Sequence, residues 1–181
     1  DEAAAPSDSL DPAEIARRRD LRGLPFVTID PATARDHDDA VCVETLERGG
    51  FRLWVGIADV AHFVPEGGAL DIEARRRGNS VYFPDRAIPM LPERLSGELC
   101  SLRPGVDRLA FVVELSLDAR GAMEGVRFHE AVIRSRARLV YDDAARVMEG
   151  GASADVPGGE VTEQLQRLAA RHRGRDARGA H

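Results

Sequence analysis

Four aspartates, Asp30, Asp36, Asp38 and Asp39, fall within ten residues of this 181-residue chain. Carboxylates this close repel one another: two like charges about 4 Å apart cost about 4 kcal/mol at an effective dielectric near 20. A counter-charge offsets that cost. The cations that suit it are Mg²⁺ and Mn²⁺, which take carboxylate oxygen and keep positions for water or a substrate phosphate. Asp30 ends the apolar run Phe26, Val27, Ile29, which reads as a strand, and Pro31 stops that strand by removing a ladder donor. Asp36, Asp38 and Asp39 lie on the following loop, just before a second strand-like run from Ala40 to Val43. The pattern is that of a metal site hung on the ends of two strands. A solvated acidic turn is the bland competitor, but it needs no flanking strands. An EF-hand loop counted from Asp36 puts Val41 where glycine is required, so that reading fails. Other Asp-rich motifs hold diphosphate through magnesium, so the aspartates alone name no substrate.

The elements around them read as an α+β chain, a mostly antiparallel sheet with flanking helices. Asp11-Pro12-Ala13-Glu14 is a helix start with Asp as cap and Pro at the first helical position, running to about Arg19. Strands are predicted near residues 25–30, 40–46 and 51–58, with Gly49-Gly50 turning the latter two into a hairpin. Residues 70–77 read as a helix stopped by Gly78. Residues 84–105 carry Pro84, Pro89, Pro92 and Pro104 and read as loop, with a short helical turn near 92–95. Alternation over 111–117 and 126–137 predicts two long antiparallel strands joined at Gly121. Asp142 or Asp143 is expected to cap a helix ending at Gly150. A Gly-rich linker over 151–160 then leads to a last amphipathic helix from about Thr162.

Of five histidines only His37 lies in the cluster, and hard cations prefer oxygen, so it reads as a rim residue facing solvent or substrate. His62, His129, His172 and His181 have no evident partners. Asp59 follows a strand as Asp30 does, and helix capping is the expected role, ahead of support for a metal ligand. Cys42 and Cys100 are too few for a disulfide framework and have no metal-like neighbours. No stretch is long enough to span a membrane, and the N-terminus lacks a signal peptide's charged start and apolar core. These features point to the reducing cytoplasm. The net charge of −6 is the wrong sign for gripping nucleic acid by a broad basic face, although cations bound at the aspartates would reverse the local field. All 25 basic residues are arginine, whose fork grips two phosphate oxygens.

Around the aspartates the sequence resembles the catalytic domain of the ribonuclease II and ribonuclease R family. Leu24 to Pro31, with Arg35-Asp36-His37-Asp38-Asp39-Ala40, is similar to the family's four-aspartate signature. Ile57-Ala58-Asp59-Val60, Arg77 to Pro84, Ile88 to Pro92 with Leu99 to Leu102, and Ala137 to Asp142 follow in family order. The resemblance implies processive 3′-to-5′ hydrolysis of single-stranded RNA to nucleoside 5′-monophosphates with Mg²⁺ or Mn²⁺. Paired ions about 3.5–4 Å apart can activate a water and stabilise the leaving oxygen. It further implies Asp30 and Asp39 as direct metal ligands, Asp38 as the carboxylate on which turnover depends most, and Asp36 as the residue completing the set. Tyr82 and Tyr141 match aromatic residues that pack against bases near the 3′ end, where a stack is worth about 1–3 kcal/mol whatever the base. Without that motif both tyrosines would read as strand or edge packing.

The family's catalytic domain extends past the region matched. Its second half carries an arginine-rich block and a further acidic residue, and cold-shock and S1 domains flank it. Residues 21–181 are therefore expected to be the N-terminal half of such a domain, with residues 1–20 a lead containing one short helix. The alternative is a truncated, catalytically inert RNA-binding or regulatory module of the same fold.

Overall fold

The computed structural model describes residues 10–47, 49–83, 85–154 and 156–176. Strands β1 (Arg19–Asp20), β2 (Val27–Asp30), β3 (Asp39–Thr45), β4 (Phe51–Ala58), β7 (Asp107–Leu117), β8 (Met123–Arg134) and β9 (Ala137–Val140) form one sheet in the order β1-β8-β7-β4-β3-β2-β9. The pairs β1–β8 and β2–β9 are parallel and the other four are antiparallel. A separate hairpin joins β5 (Val81–Tyr82) to β6 (Ala87–Ile88). The α-helices are α1 (Pro12–Arg17), α2 (Val60–Phe63), α3 (Ala69–Arg77), α4 (Tyr141–Met148) and α5 (Glu160–Asp176), with a π-helical turn at Arg94–Leu99. The sheet is mostly antiparallel and the class is α+β, as the residue pattern predicts. No helix among the described residues is long and apolar enough to cross a membrane.

Chain length forces this sheet to roll. Five inter-strand steps separate β8 from β9 in the strand order, about 24 Å if the sheet were flat. Only Ser135 and Arg136 connect them, a reach of at most about 11 Å. The two ends of the sheet therefore meet. At the seam the Phe26 carbonyl accepts from the Arg136 amide at 2.7 Å and from Ser135 Oγ at 3.4 Å. The single strand predicted over 126–137 is thus two strands, β8 pairing with β7 and β9 crossing to β2. The inner face is apolar and small-featured: Phe26, Ala40, Cys42, Trp54, Ala58, Ala110, Val112, Ala131 and Ile133 pack in one buried cluster. Gly56 belongs to that face, where an added Cβ would come within 3.3 Å of the Ile133 side chain.

The outer face is covered unevenly. Val27, Leu139, Ala144, Val147, Val161 and Leu165 pack together where α4 and α5 lie over β9, β2 and β3. Gln164 anchors α5, its buried side chain accepting from the Val43 amide at 3.2 Å and donating to the Pro25 carbonyl at 2.6 Å. Over β4, β7 and β8 the same face carries Ile57, Phe111, Val126 and Phe128, all exposed among the described residues, with the Phe111 and Phe128 rings stacked at 5.9 Å.

Local signals account for most boundaries. Asp11 caps α1 through the Ala13 amide at 2.9 Å with Pro12 at the first position. Gly50, at φ +88°, turns β3 into β4 where a Cβ would sit 2.4 Å from the Leu117 carbonyl oxygen. Three expectations need correction. Helix α4 begins at Tyr141 with Val140 at the cap, so Asp142 and Asp143 sit in its first turn instead of capping it. The helical turn in the proline segment is the π-turn at Arg94–Leu99, later than residues 92–95. The last helix starts at Glu160, and residues 177–181 lie outside the described residues.

Candidate active site

Strand ends and one loop bring the aspartates together. Asp30 is the last residue of β2, Asp39 the first of β3, and residues 31–38 connect them. That loop is held at several points. Arg138 on β9 donates to the Ala32 carbonyl at 2.8 Å and to that of Ala34 at 3.4 Å. The Asp38 carbonyl accepts from the Ala58 amide at 2.8 Å, and the His37 carbonyl accepts from the Leu102 amide at 2.8 Å. Asp30, Asp36, Asp38 and Asp39 all line one cleft of about 1020 Å³. Tyr82, Phe83, Asp85 and Arg86 of the β5–β6 hairpin line the same cleft.

The electrostatics follow from the crowding. Partial burial, and then the charges of Asp36, Asp39 and Asp30, push the Asp38 carboxyl above its ordinary range. Burial and the charge of Asp30 raise Asp39 in the same direction. Both residues are exposed to solvent where they line the cleft. Among the described residues, no arginine pairs with Asp36, Asp38 or Asp39; the nearby Arg35 is with Glu93 at 3.4 Å. A donor set of oxygen alone, rich in uncompensated negative charge, fits a hard divalent cation in kind. Among the described residues no three such groups are gathered closely enough to hold one.

His37 is not a rim residue. It is buried, 5% exposed, and its Nδ1 lies 2.8 Å from Asp30 Oδ2. His62 and His129, for which the sequence offers no partner, both meet glutamates: Glu14 at 3.5 Å and Glu114 at 2.8 Å. His172 and His181 have no described side-chain surroundings. Asp59 caps α2 through the His62 amide at 3.3 Å and pairs with the buried Arg18 at 2.7 Å, as expected of a capping acid. Burial pushes the Cys42 thiol up to about 12 and that of Cys100 up to about 11, so neither is a thiolate near neutral pH.

The two tyrosines are placed differently. Tyr82 lies on the cleft wall and is 72% exposed, too open for a packing role. Tyr141 is 57% exposed and stands apart from the cleft lining, at the start of α4 beyond the end of β9. Phe83 and Arg86 are additions that sequence reasoning missed, the guanidinium lying 5.3 Å over the ring. Phe83 follows Tyr82 within the block from Arg77 to Pro84, whereas Arg86 falls between that block and the next.

Residues 18–180 match the RNB domain family. The ribonuclease R of Acidithiobacillus ferrooxidans is 50% identical over 162 residues, covering 90% of this chain and 37% of that protein. The ribonuclease R of Escherichia coli (strain K12) is 54% identical over 135 residues, covering 75% of this chain and 17% of that protein. The solved structure of Mycoplasma genitalium RNase R in complex with ribose methylated single-stranded RNA superimposes with a TM-score of 0.86 at 37% identity, over 93% of this chain and 26% of that one. The chain thus spans well under half the length of these relatives. With an α+β sheet that presents its acidic strand ends to one cleft, these 181 residues belong to the ribonuclease II and R family as an RNB domain.

Proposed function

We propose that this chain is the N-terminal half, residues 21–181 with a short lead before it, of the catalytic domain of a metal-dependent 3′-to-5′ exoribonuclease that releases nucleoside 5′-monophosphates. One observation carries the reading: four aspartates line one cleft together with the exposed aromatic residues of a hairpin. Relatives named ribonuclease R, and a solved RNase R bound to single-stranded RNA, support RNA as the substrate.

In this reading Asp30, Asp36, Asp38 and Asp39 hold Mg²⁺ or Mn²⁺. When bound, such ions supply an activated water and charge stabilisation for an in-line displacement at phosphorus. Asp36 and Asp38, on the loop, are the carboxylates nearest to turnover. The partial burial of Asp38 and the charges around it favour its protonation when no cation is present, so its ionised form and a cation favour one another. Tyr82 offers a ring face to a base in the cleft, and Tyr141 offers another from the start of α4. The protein acts in the cytoplasm, a reading supported by two buried free cysteines, and in its longer form works with cold-shock and S1 domains.

The test is Asp38→Asn in the full-length parent, assayed on 5′-labelled poly(A) with Mg²⁺. Turnover is expected to fall about 100-fold or more, since several kcal/mol of charge stabilisation is lost, while RNA binding persists. Near-normal turnover in the variant overturns the assignment. Binding without any hydrolysis by the unaltered full-length parent returns it to a non-catalytic RNA-binding module.

A further inference from the structure

We infer that His37 is a positioning residue for Asp30: it fixes which carboxylate oxygen Asp30 turns toward the cleft. This rests on the reading of Asp30 as a metal ligand and adds a residue to it. An ionised carboxylate can only accept, so the 2.8 Å contact has His37 Nδ1 donating to Asp30 Oδ2. Oδ2 is thereby engaged inside the protein, and Oδ1 is left for the cleft that Asp30 lines.

The histidine can act as a clamp because it is itself immobile. Its amide donates to Ser101 Oγ at 3.2 Å and its carbonyl accepts from the Leu102 amide at 2.8 Å. Ser101 and Leu102 are buried, and the buried Arg108 side chain donates to the Ser101 carbonyl at 2.9 Å. Asp30 is fixed from the other direction by β2, which has partners on both sides at β3 and β9. Two rigid pieces of backbone thus meet through one side-chain hydrogen bond. That bond is buried at the foot of a cleft, where a mispositioned carboxylate has little freedom to recover.

A histidine in this place suits the task better than a larger hydrogen-bonding side chain. Its flat ring reaches Asp30 with only two rotatable bonds to order, whereas lysine or arginine would bring a full positive charge that competes with a cation for the same oxygens. Orienting groups behind a ligand typically change metal affinity 10–100-fold when removed.

The experiment measures Mn²⁺ binding to the chain by electron paramagnetic resonance, with thermal melting in EDTA measured in parallel. His37→Ala is expected to raise the Mn²⁺ dissociation constant 10–100-fold. His37→Asn, whose amide nitrogen overlays Nδ1, is expected to restore most of the affinity. Ser101→Ala cuts the loop anchor but leaves the histidine–carboxylate bond, so it should lower the melting temperature with little change in Mn²⁺ affinity. Affinity in His37→Ala within twofold of the unaltered chain overturns the inference, as does His37→Asn binding as weakly as His37→Ala. Ser101→Ala weakening Mn²⁺ binding as much as His37→Ala also overturns it, because His37 would then act only as part of a loop anchor. An unaltered chain that binds no Mn²⁺ overturns the metal reading of the aspartates and this inference with it, an outcome distinct from the other three.

Discussion

Asp30 and Val140 are register partners in the parallel pair β2–β9, so Tyr141 starts α4 one peptide beyond the β9 residue that pairs with a candidate ligand. The two aromatic residues of the proposed RNA path therefore stand on different elements, Tyr82 on the hairpin that lines the cleft and Tyr141 at the start of α4. Replacing either by alanine removes one stack of about 1–3 kcal/mol, which raises the dissociation constant of a short oligonucleotide about five- to a hundredfold. Phenylalanine replacements are expected to be nearly silent, because the ring face makes the contact. Fluorescence anisotropy with labelled oligo(A) checks both; a Phe variant as weak as the Ala variant assigns the effect to the hydroxyl.

Divalent ions are expected to stabilise the chain, since they bind the folded cluster and hardly the unfolded one. At an ion concentration about 100 times the dissociation constant the gain is about 2.7 kcal/mol, or about 5–10 °C in melting temperature for a domain of this size. The shift should disappear in the double variant Asp30→Ala/Asp39→Ala. Differential scanning calorimetry with Mg²⁺, Mn²⁺ and EDTA decides it, and an unchanged melting point in the unaltered chain leaves a plain acidic turn.

The pH dependence in EDTA follows from the raised carboxyls. Asp38 and Asp39 bind their protons more tightly in the folded chain than in the unfolded one. Between the ordinary carboxylate range near about 4 and the raised values, each deprotonation therefore favours unfolding. Stability from these two groups is present below that window and lost as pH rises through it. Asp38→Asn removes one of the groups and relieves the other three of a charge. Its melting temperature at neutral pH should exceed that of the unaltered chain, and its decline with pH should be shallower. A variant less stable than the parent throughout would show that the Asp38 charge is compensated in the metal-free fold.

The outer face over β4, β7 and β8 gives a surface prediction. Phe128 is 61% exposed and stacks on the exposed Phe111. Contiguous apolar surface of this kind binds apolar dyes and invites association. The folded chain is expected to enhance anilinonaphthalene sulfonate fluorescence below its melting transition, and Phe128→Lys to reduce that signal. The substitution should move stability by about 0.5 kcal/mol or less, as at other surface positions. Undiminished fluorescence in Phe128→Lys would locate the dye elsewhere.

Most of the local structure was legible because its signals are local. Asp11-Pro12, Gly49-Gly50, Gly78 and the alternation in β7 each act within a few residues, and each element lies where those residues predict. The aspartates were legible for the same reason, since charge crowding needs only spacing. What could not be read depends on partners far along the chain. The alternation of β8 runs on through Ser135 into β9, and only the pairing with β2 reveals two strands. Strands β5 and β6 have two residues each, too few for a period. His37 stands among four charged residues and reads as surface. Ser101 and Leu102, more than sixty residues away, are what bury it.

The seam at Phe26 also sets a schedule for synthesis. Its hydrogen bond from Ser135 Oγ joins residues 109 apart in sequence. Such a closure carries loop entropy that nearer pairings such as β3–β4 avoid. On a ribosome adding about 5–20 residues per second, roughly 5–20 s separate the emergence of β2 from that of β9. Throughout that interval β2 has only β3 beside it and remains an open sheet edge, the arrangement most apt to pair with another nascent chain. The charge at Asp30 and the proline after it are the features that blunt that edge until β9 arrives.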